Sequence, residues 1–468
     1  MTAFKRERKQ LSERETAIRH AMRLYQLAVL IGLGTGVLAA GFHFCLEWVF
    51  QLHENIATLF AGSPTKATLA AALLGAVMAA TAVLLVRLFA PEAAGSGVQE
   101  IEGTLAGLRD IRGPRIIGVK FVGGVLAIGA GLLLGREGPT IHMGGCVGKM
   151  VGGRTNADDH TMNTLLAAGA GAGLSAAFSA PLAGVMFVTE ELRRRFNYNF
   201  VSLHAVIIAS VIAKVVNDQV FGMGPSLPIN LKILLPTSPH LEELTLLVPL
   251  FIFLGIVIGV CGAGFNTAML GFLNISDRLS RPTIVLVASV LGAAAGALIV
   301  GKPGFAGGGD RLIQMMFANH PGFGLLVALL GVRALATFLS YATGAPGGIF
   351  APMLALGTLI GIGFGVFGQA IFPHAGLHPG AFAVAAMGGL FAATVRAPLT
   401  GIVLVAELTS SFELLPAIIL TCLTASITAQ MLGSKPIYEL LLNRTLEAQP
   451  TPGHNRPDAG KIKGNAPR

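Results

Sequence analysis

The chain has 468 residues, of which 53% are hydrophobic and only 12% charged, with a mean hydropathy of +0.70. Soluble domains carry about 25% charged residues, so this composition excludes a soluble globular protein and describes an all-α polytopic membrane protein. The formal charge of +9 gathers in clusters that flank apolar sequence, which argues against a nucleic-acid partner and for the cytoplasmic face of a membrane.

Lys5, Arg6, Arg8, Lys9, Arg14, Arg19 and Arg23 crowd the first segment. Residues 1–23 read as an amphipathic helix lying on the cytoplasmic face, too charged and too short of an apolar core for a signal peptide. A membrane domain is expected over residues 24–442. Its apolar runs Leu24–Gly41, Ala67–Val86, Leu246–Phe265, Thr283–Val300 and Gly322–Phe338 approach the ~20 residues needed to cross a bilayer. Other runs are shorter and interrupted by glycine or proline, which predicts tilted, half-spanning or re-entrant helices. The 61 glycines fit close helix approach inside a membrane. Arg193-Arg194-Arg195 form a second basic cluster, and Arg456, Lys461, Lys463 and Arg468 a third. Both termini are therefore expected in the cytoplasm, with an even number of crossings between them. Residues 443–468 are polar and proline-rich, a disordered cytoplasmic tail by composition that leaves no room for a regulatory domain. Cys45, Cys146, Cys261 and Cys422 are scattered without pairing, so neither a metal site nor a disulfide framework is indicated.

An internal repeat is visible. Ala180-Pro181-Leu182-Ala183-Gly184 through Glu190 matches Ala397-Pro398-Leu399-Thr400-Gly401 through Glu407. Two repeats, at about 24–231 and 243–442, would meet at a seam near Leu231–Glu242. Interrupted segments in corresponding positions of two halves point to the binding site of a transporter. Sequence similarity leaves open whether the repeats are parallel or inverted.

Three breaks share one chemistry. Gly95-Ser96-Gly97 precedes Val98, Gly135-Arg136-Glu137-Gly138-Pro139 precedes Thr140, and Gly347-Gly348-Ile349-Phe350-Ala351-Pro352 opens a third helix. Each puts flexible backbone ahead of a helix N-terminus, whose free N–H groups favour an anion. Three such ends at one point would hold a dehydrated anion without a full positive charge. Glu137 lies between two runs without formal charge, Phe121–Leu134 and Ile141–Gly148. A carboxylate at that depth marks a pathway by default, and beside a helix N-terminus it could itself be the bound anion until displaced. That is the chemistry of a gate.

These residues resemble the CLC family of chloride channels and chloride/proton antiporters, over nearly the whole chain. The family motifs GSGIP, GREGP and GxFxP read here as Gly95-Ser96-Gly97-Val98-Gln99, Gly135-Arg136-Glu137-Gly138-Pro139 and Gly348-Ile349-Phe350-Ala351-Pro352. The likeness is greatest to bacterial antiporters without paired regulatory domains. It implies an inverted-repeat helical fold, a homodimer with one pore per subunit, embedding in lipid of a bacterial inner membrane, and chloride and protons as the transported partners. It implies chloride-binding hydroxyls on Ser96 and Tyr438, with the N–H groups of Ile349 and Phe350 completing the site. It makes Glu137 the external gate and Glu191 the internal proton-transfer residue. Gln99 stands where the family has proline, from which a less rigid loop is expected. No cofactor, metal or nucleotide is implied.

Other readings compete at single residues. Glu137 could pair with Arg136, and Glu190 or Glu191 could pair with Arg193–Arg195 at the membrane interface. Glu407 reads as structural, and His142 as a packed polar residue. Lys120 and Arg333 would raise the positive potential of the pore or pair with buried carboxylates. The expected function is chloride/proton exchange and not enzymatic; alternatives are a passive chloride channel on the same fold, or a membrane hydrolase with Ser96 as nucleophile.

Overall fold

The structure, a computed structural model, describes residues 2–192, 199–222, 224, 227, 241–319, 321–410 and 412–448. The Arg193–Arg195 cluster, the expected seam as far as residue 240 and the tail beyond 448 lie outside the described residues.

Among the described residues there are seventeen α-helices: α1 (Thr2–Leu59), α2 (Pro64–Phe89), α3 (Val98–Leu105), α4 (Gly113–Gly129), α5 (Glu137–Arg154), α6 (Asp159–Phe178), α7 (Pro181–Glu190), α8 (Phe200–Phe221), α9 (Leu241–Asp277), α10 (Arg281–Gly301), α11 (Asp310–Ala318), α12 (Phe323–Ala342), α13 (Phe350–Ile371), α14 (Pro379–Val395), α15 (Pro398–Thr409), α16 (Leu415–Met431) and α17 (Ile437–Ala448). Eight segments, those of α1, α2, α8, α9, α10, α12, α13 and α16, are long and apolar enough to cross a membrane. At 1.5 Å per residue, α3, α7 and α15 fall short.

Two boundaries differ from expectation. The basic segment and the first apolar run form one helix, because no glycine or proline occurs before Gly32 to interrupt it. Residues 443–448, expected in the tail, continue α17. Arg444 there donates to Leu273 O at 3.0 Å and pairs with Asp277 of α9, which ties that turn to the membrane domain.

The repeat governs the packing. In the first half α6 packs on α1, α5, α7 and α8; in the second, α14 packs on α9, α13, α15 and α16. A shift of eight helices therefore maps one half onto the other. The centre is built from small residues. Every residue of α14 is buried, and α5 crosses α6 so closely that a β-carbon on Gly144 or Gly169 would collide with the other's backbone. Gly75 of α2 and Gly292 of α10 make the same close approach between the halves. Lipid offers no hydrophobic drive between helices, so such close packing supplies the attraction. Large apolar side chains, among them Leu33, Val37, Leu69, Leu73 and Val290, are exposed on the outer helices.

The orientation of the repeats follows from two carboxylates. Glu407, near the end of α15, accepts the N–H groups of Leu182 at 3.2 Å and Ala183 at 2.8 Å, at the start of α7. Glu190, at the end of α7, accepts those of Leu399 at 3.1 Å and Thr400 at 2.7 Å, at the start of α15. Each helix begins with proline and has no side-chain cap from its own N-cap residue, so each is capped by the other. Two helices can exchange end for start only when they run antiparallel, and the repeats are accordingly inverted. Glu407 is thus hydrogen-bonded within the bundle, while Glu190 serves the other repeat. Replacing Glu407 by Ala strips two N–H groups of their acceptor and should lower stability by about 1–3 kcal/mol; thermal unfolding in detergent would measure it, and an unchanged transition would refute the capping role.

Candidate anion site at three converging helix starts

None of α3, α5 or α13 is capped by the side chain of its own N-cap residue: Gly97, Arg136 and Ile349 precede them. Their first N–H groups are therefore orphan donors, and the backbone draws these ends together. Gly135 and Gly348 exchange a pair of hydrogen bonds of 2.8 and 2.7 Å, and Gly347 N–H donates to Gly95 O at 3.0 Å. The three glycine breaks, more than 200 residues apart at the extremes, thus form one surface. Gly138 lies where they cross: a β-carbon there would stand 2.8 Å from both Gly348 Cα and Ser96 Oγ.

Glu137 is fully buried. Its Oε1 accepts from Phe350 N at 2.7 Å and Ala351 N at 3.2 Å, so the carboxylate caps α13 from another helix. With Ile349 as the N-cap residue, Phe350 and Ala351 carry the first free N–H groups. The carboxylate thus shares the Phe350 N–H with the pair, Ile349 and Phe350, expected to hold chloride. Oε2 has no hydrogen-bond partner among the described residues. Arg136 does not neutralise it; that guanidinium lies 2.6 Å from His43 Nε2, and the His43 ring stacks on Phe221 with centroids 4.0 Å apart.

Beside this gate-like contact stand two hydroxyls. Ser96 and Tyr438 are fully buried. Their hydroxyls lie near one another, yet neither has a partner of hydrogen-bond geometry among the described residues. Tyr438 opens α17, and its ring packs 5.9 Å from that of Phe350, which meets Phe391 edge-on at 4.7 Å. Buried polar atoms are nearly always satisfied, and orphans call for a ligand, ion or water. Two hydroxyl donors, helix N-termini and an aromatic wall suit a small monovalent anion. Glu191 is half-buried at the C-terminal end of α7, its N–H bonded to Phe187 O at 2.9 Å. Both Glu137 and Glu191 are near enough to act electrostatically on Tyr438.

Of the residues that support the site, Tyr341 alone escaped sequence reasoning. Lys120 is fully buried and donates to Ala93 O at 3.0 Å and Gly95 O at 2.7 Å; it clamps the first filter loop through carbonyls. Arg333 likewise holds Phe305 O and Gly307 O, at 3.5 and 3.0 Å. Tyr341 accepts the Ser96 N–H at 3.3 Å. His142 is a packed residue, its ring against the Cα of Gly97, which adopts φ +88°. Gln99 Oε1 accepts the Gly97 N–H at 3.2 Å. The loop expected to be loosened by the absence of proline is instead tied by the side chain that replaces it.

Two substitutions separate support from binding. Lys120→Met leaves Ala93 O without this donor and Gly95 O with only the Gly347 N–H, and should destabilise the protein by about 1–3 kcal/mol. Tyr438→Phe deletes an orphan hydroxyl, so thermal stability should hold or rise while chloride affinity, read by calorimetry, falls about five-fold or more. A Tyr438→Phe protein with unaltered affinity would remove that hydroxyl from the site.

Comparison with known proteins identifies the family. Residues 76–430 match the family described as voltage gated chloride channel. The chain is 43% identical over 428 residues to the H(+)/Cl(-) exchange transporter ClcA of Vibrio parahaemolyticus, covering 90% of this chain and 89% of that protein. The ClcA exchanger of Vibrio cholerae is 44% identical over 430 residues, covering 90% of each. Among solved structures, a slow cyanobacterial Cl-/H+ antiporter is similar with a TM-score of 0.85 and 37% identity, over 91% of this chain and 99% of that one. The chain belongs to the voltage-gated chloride channel family, the CLC family.

Proposed function

We propose that this chain is a secondary active transporter that exchanges chloride for protons, with Glu137 as the group shared by both ions. The observation that carries this reading is the Glu137 carboxylate on the N–H groups of Phe350 and Ala351, beside the orphan hydroxyls of Ser96 and Tyr438.

An ionised carboxylate holds N–H groups through charge-assisted bonds, roughly twice as strong as neutral ones. Protonation removes that advantage, the side chain leaves, and chloride takes its place at the start of α13. Chloride held by Ser96, Tyr438, Ile349 and Phe350 then favours the displaced, protonated Glu137. Loss of the proton returns the carboxylate and expels the anion. Each chloride movement is thereby tied to a protonation step, which is exchange. Oε2 of Glu137 faces no partner among the described residues and serves as the proton's landing point. Glu191 supplies protons from the opposite side; its placement within electrostatic range of Tyr438 supports a route past the anion. The relatives named as H+/Cl− exchange transporters support exchange over a passive channel. The hydrolase reading lacks support, since Ser96 Oγ has no base within hydrogen-bond reach among the described residues. The basic clusters support a cytoplasmic position for both termini, and the family likeness supports a bacterial inner membrane and a homodimer with one pore per subunit.

The test is proton flux from liposomes driven by a chloride gradient alone. Uphill proton movement is expected in the wild type. Glu191→Gln should abolish it while chloride still moves, and Glu137→Gln should abolish it with the gate held in its neutral form. Chloride movement without protons in the wild type would establish a channel instead.

A further inference from the structure

Gln99 is the second residue of α3 and is buried. Its Oε1 accepts from Gly97 N at 3.2 Å. A backbone N–H can only donate, so this contact fixes the carboxamide: oxygen toward the loop, NH2 away from it. No acceptor for that NH2 is found among the described residues, nor is the group one of the fully enclosed orphan atoms. Gln99 lines a cavity of about 340 Å³ together with Gly95, Arg87, Glu100, Arg109 and Arg444. The cavity thus lies against the loop that carries Ser96.

Most of the guanidinium groups on this wall are already engaged. Arg109 holds Glu100 at 2.9 Å, and Arg444 pairs with Asp277. The Ser96 and Gly97 N–H groups are also taken, by Tyr341 and by Gln99 itself. An anion moving between the cavity and Ser96 therefore meets the Arg87 guanidinium on the cavity wall, the paired charges, and a neutral donor, the Gln99 NH2. Paired charges attract any monovalent anion alike. A neutral NH2 discriminates by shape, because its two N–H bonds have fixed directions. Chloride is spherical and indifferent to that geometry, whereas a planar oxyanion presents several in-plane lone pairs that can match the directions of the two Gln99 N–H bonds.

We propose that Gln99 is a specificity-determining residue, whose NH2 donates to anions passing between this cavity and Ser96 and raises the transport of planar oxyanions relative to chloride. The inference rests on the anion-exchange reading above.

Initial rates of nitrate and chloride movement, measured separately in liposomes, give the test. Gln99→Pro removes the donor at a first-turn position where proline is tolerated. Gln99→Glu keeps an acceptor for Gly97 but removes both N–H bonds; its added charge slows both monovalent anions, so the rate ratio isolates the donor. The nitrate-to-chloride ratio should fall about five-fold in both variants, the worth of one hydrogen bond. Gln99→Leu, close in volume, replaces the proline variant if that protein does not fold. Ratios within about two-fold of wild type in both variants overturn the inference. A fall in the proline or leucine variant alone also overturns it, by assigning the effect to the Gly97 contact. A wild type that moves neither anion would instead sink the exchange reading itself.

Discussion

A carboxylate bound by two backbone N–H groups inside a membrane protein is the constraint on which the other features depend. Glu137 needs full burial for its ionised form to be worth displacing, and it needs a helix start for that form to exist at all. Burial of an unpaired charge costs several kcal/mol, and among the described residues no ion pair offsets it, since Arg136 is turned to His43. The offset comes from α13, whose first N–H groups have no cap of their own. Because the start of one helix stabilises the side chain of another, the two must be held in register. The paired hydrogen bonds between Gly135 and Gly348 supply that register directly.

The surrounding polar residues act on carbonyls more than on charges. Lys120 grips Ala93 O and Gly95 O, and Arg333 grips Phe305 O and Gly307 O. Irregular backbone at membrane depth persists only when its groups are satisfied, and a cation with several donors satisfies two carbonyls at once. These residues also leave the anion site free of a fixed full charge, which would bind chloride too firmly for it to leave. Weak, distributed donors suit an ion that must be held and released in each cycle.

Much of this was legible in the sequence, for physical reasons. Glycine and proline at three breaks expose helix starts wherever they occur, so those starts were legible from spacing, while the individual anion ligands were named only by resemblance to the CLC family. A carboxylate between apolar runs is improbable unless it has a role, so Glu137 stood out. Tyr341 did not, because its link to Ser96 spans 245 positions and no local pattern encodes it. The consequence of Gln99 was misjudged for a related reason. Its replacement of proline was visible, but a side chain that folds back to hold the preceding loop looks the same in sequence as one that does not. The orientation of the repeats was hidden too, since similarity between halves has no direction until Glu190 and Glu407 are seen to cap each other's helices.

That exchange of caps bears on what half of this molecule could be. A single repeat in a bilayer would carry a helix start with bare N–H groups and, nine residues on, a carboxylate with nothing to hold. Both faults vanish when a second copy inserts upside down beside the first, since each then supplies what the other lacks. The smallest self-consistent unit of this architecture is therefore a pair of halves in opposite orientations. The order in which they insert matters, because the first to arrive stays incomplete until its counterpart crosses the membrane the other way.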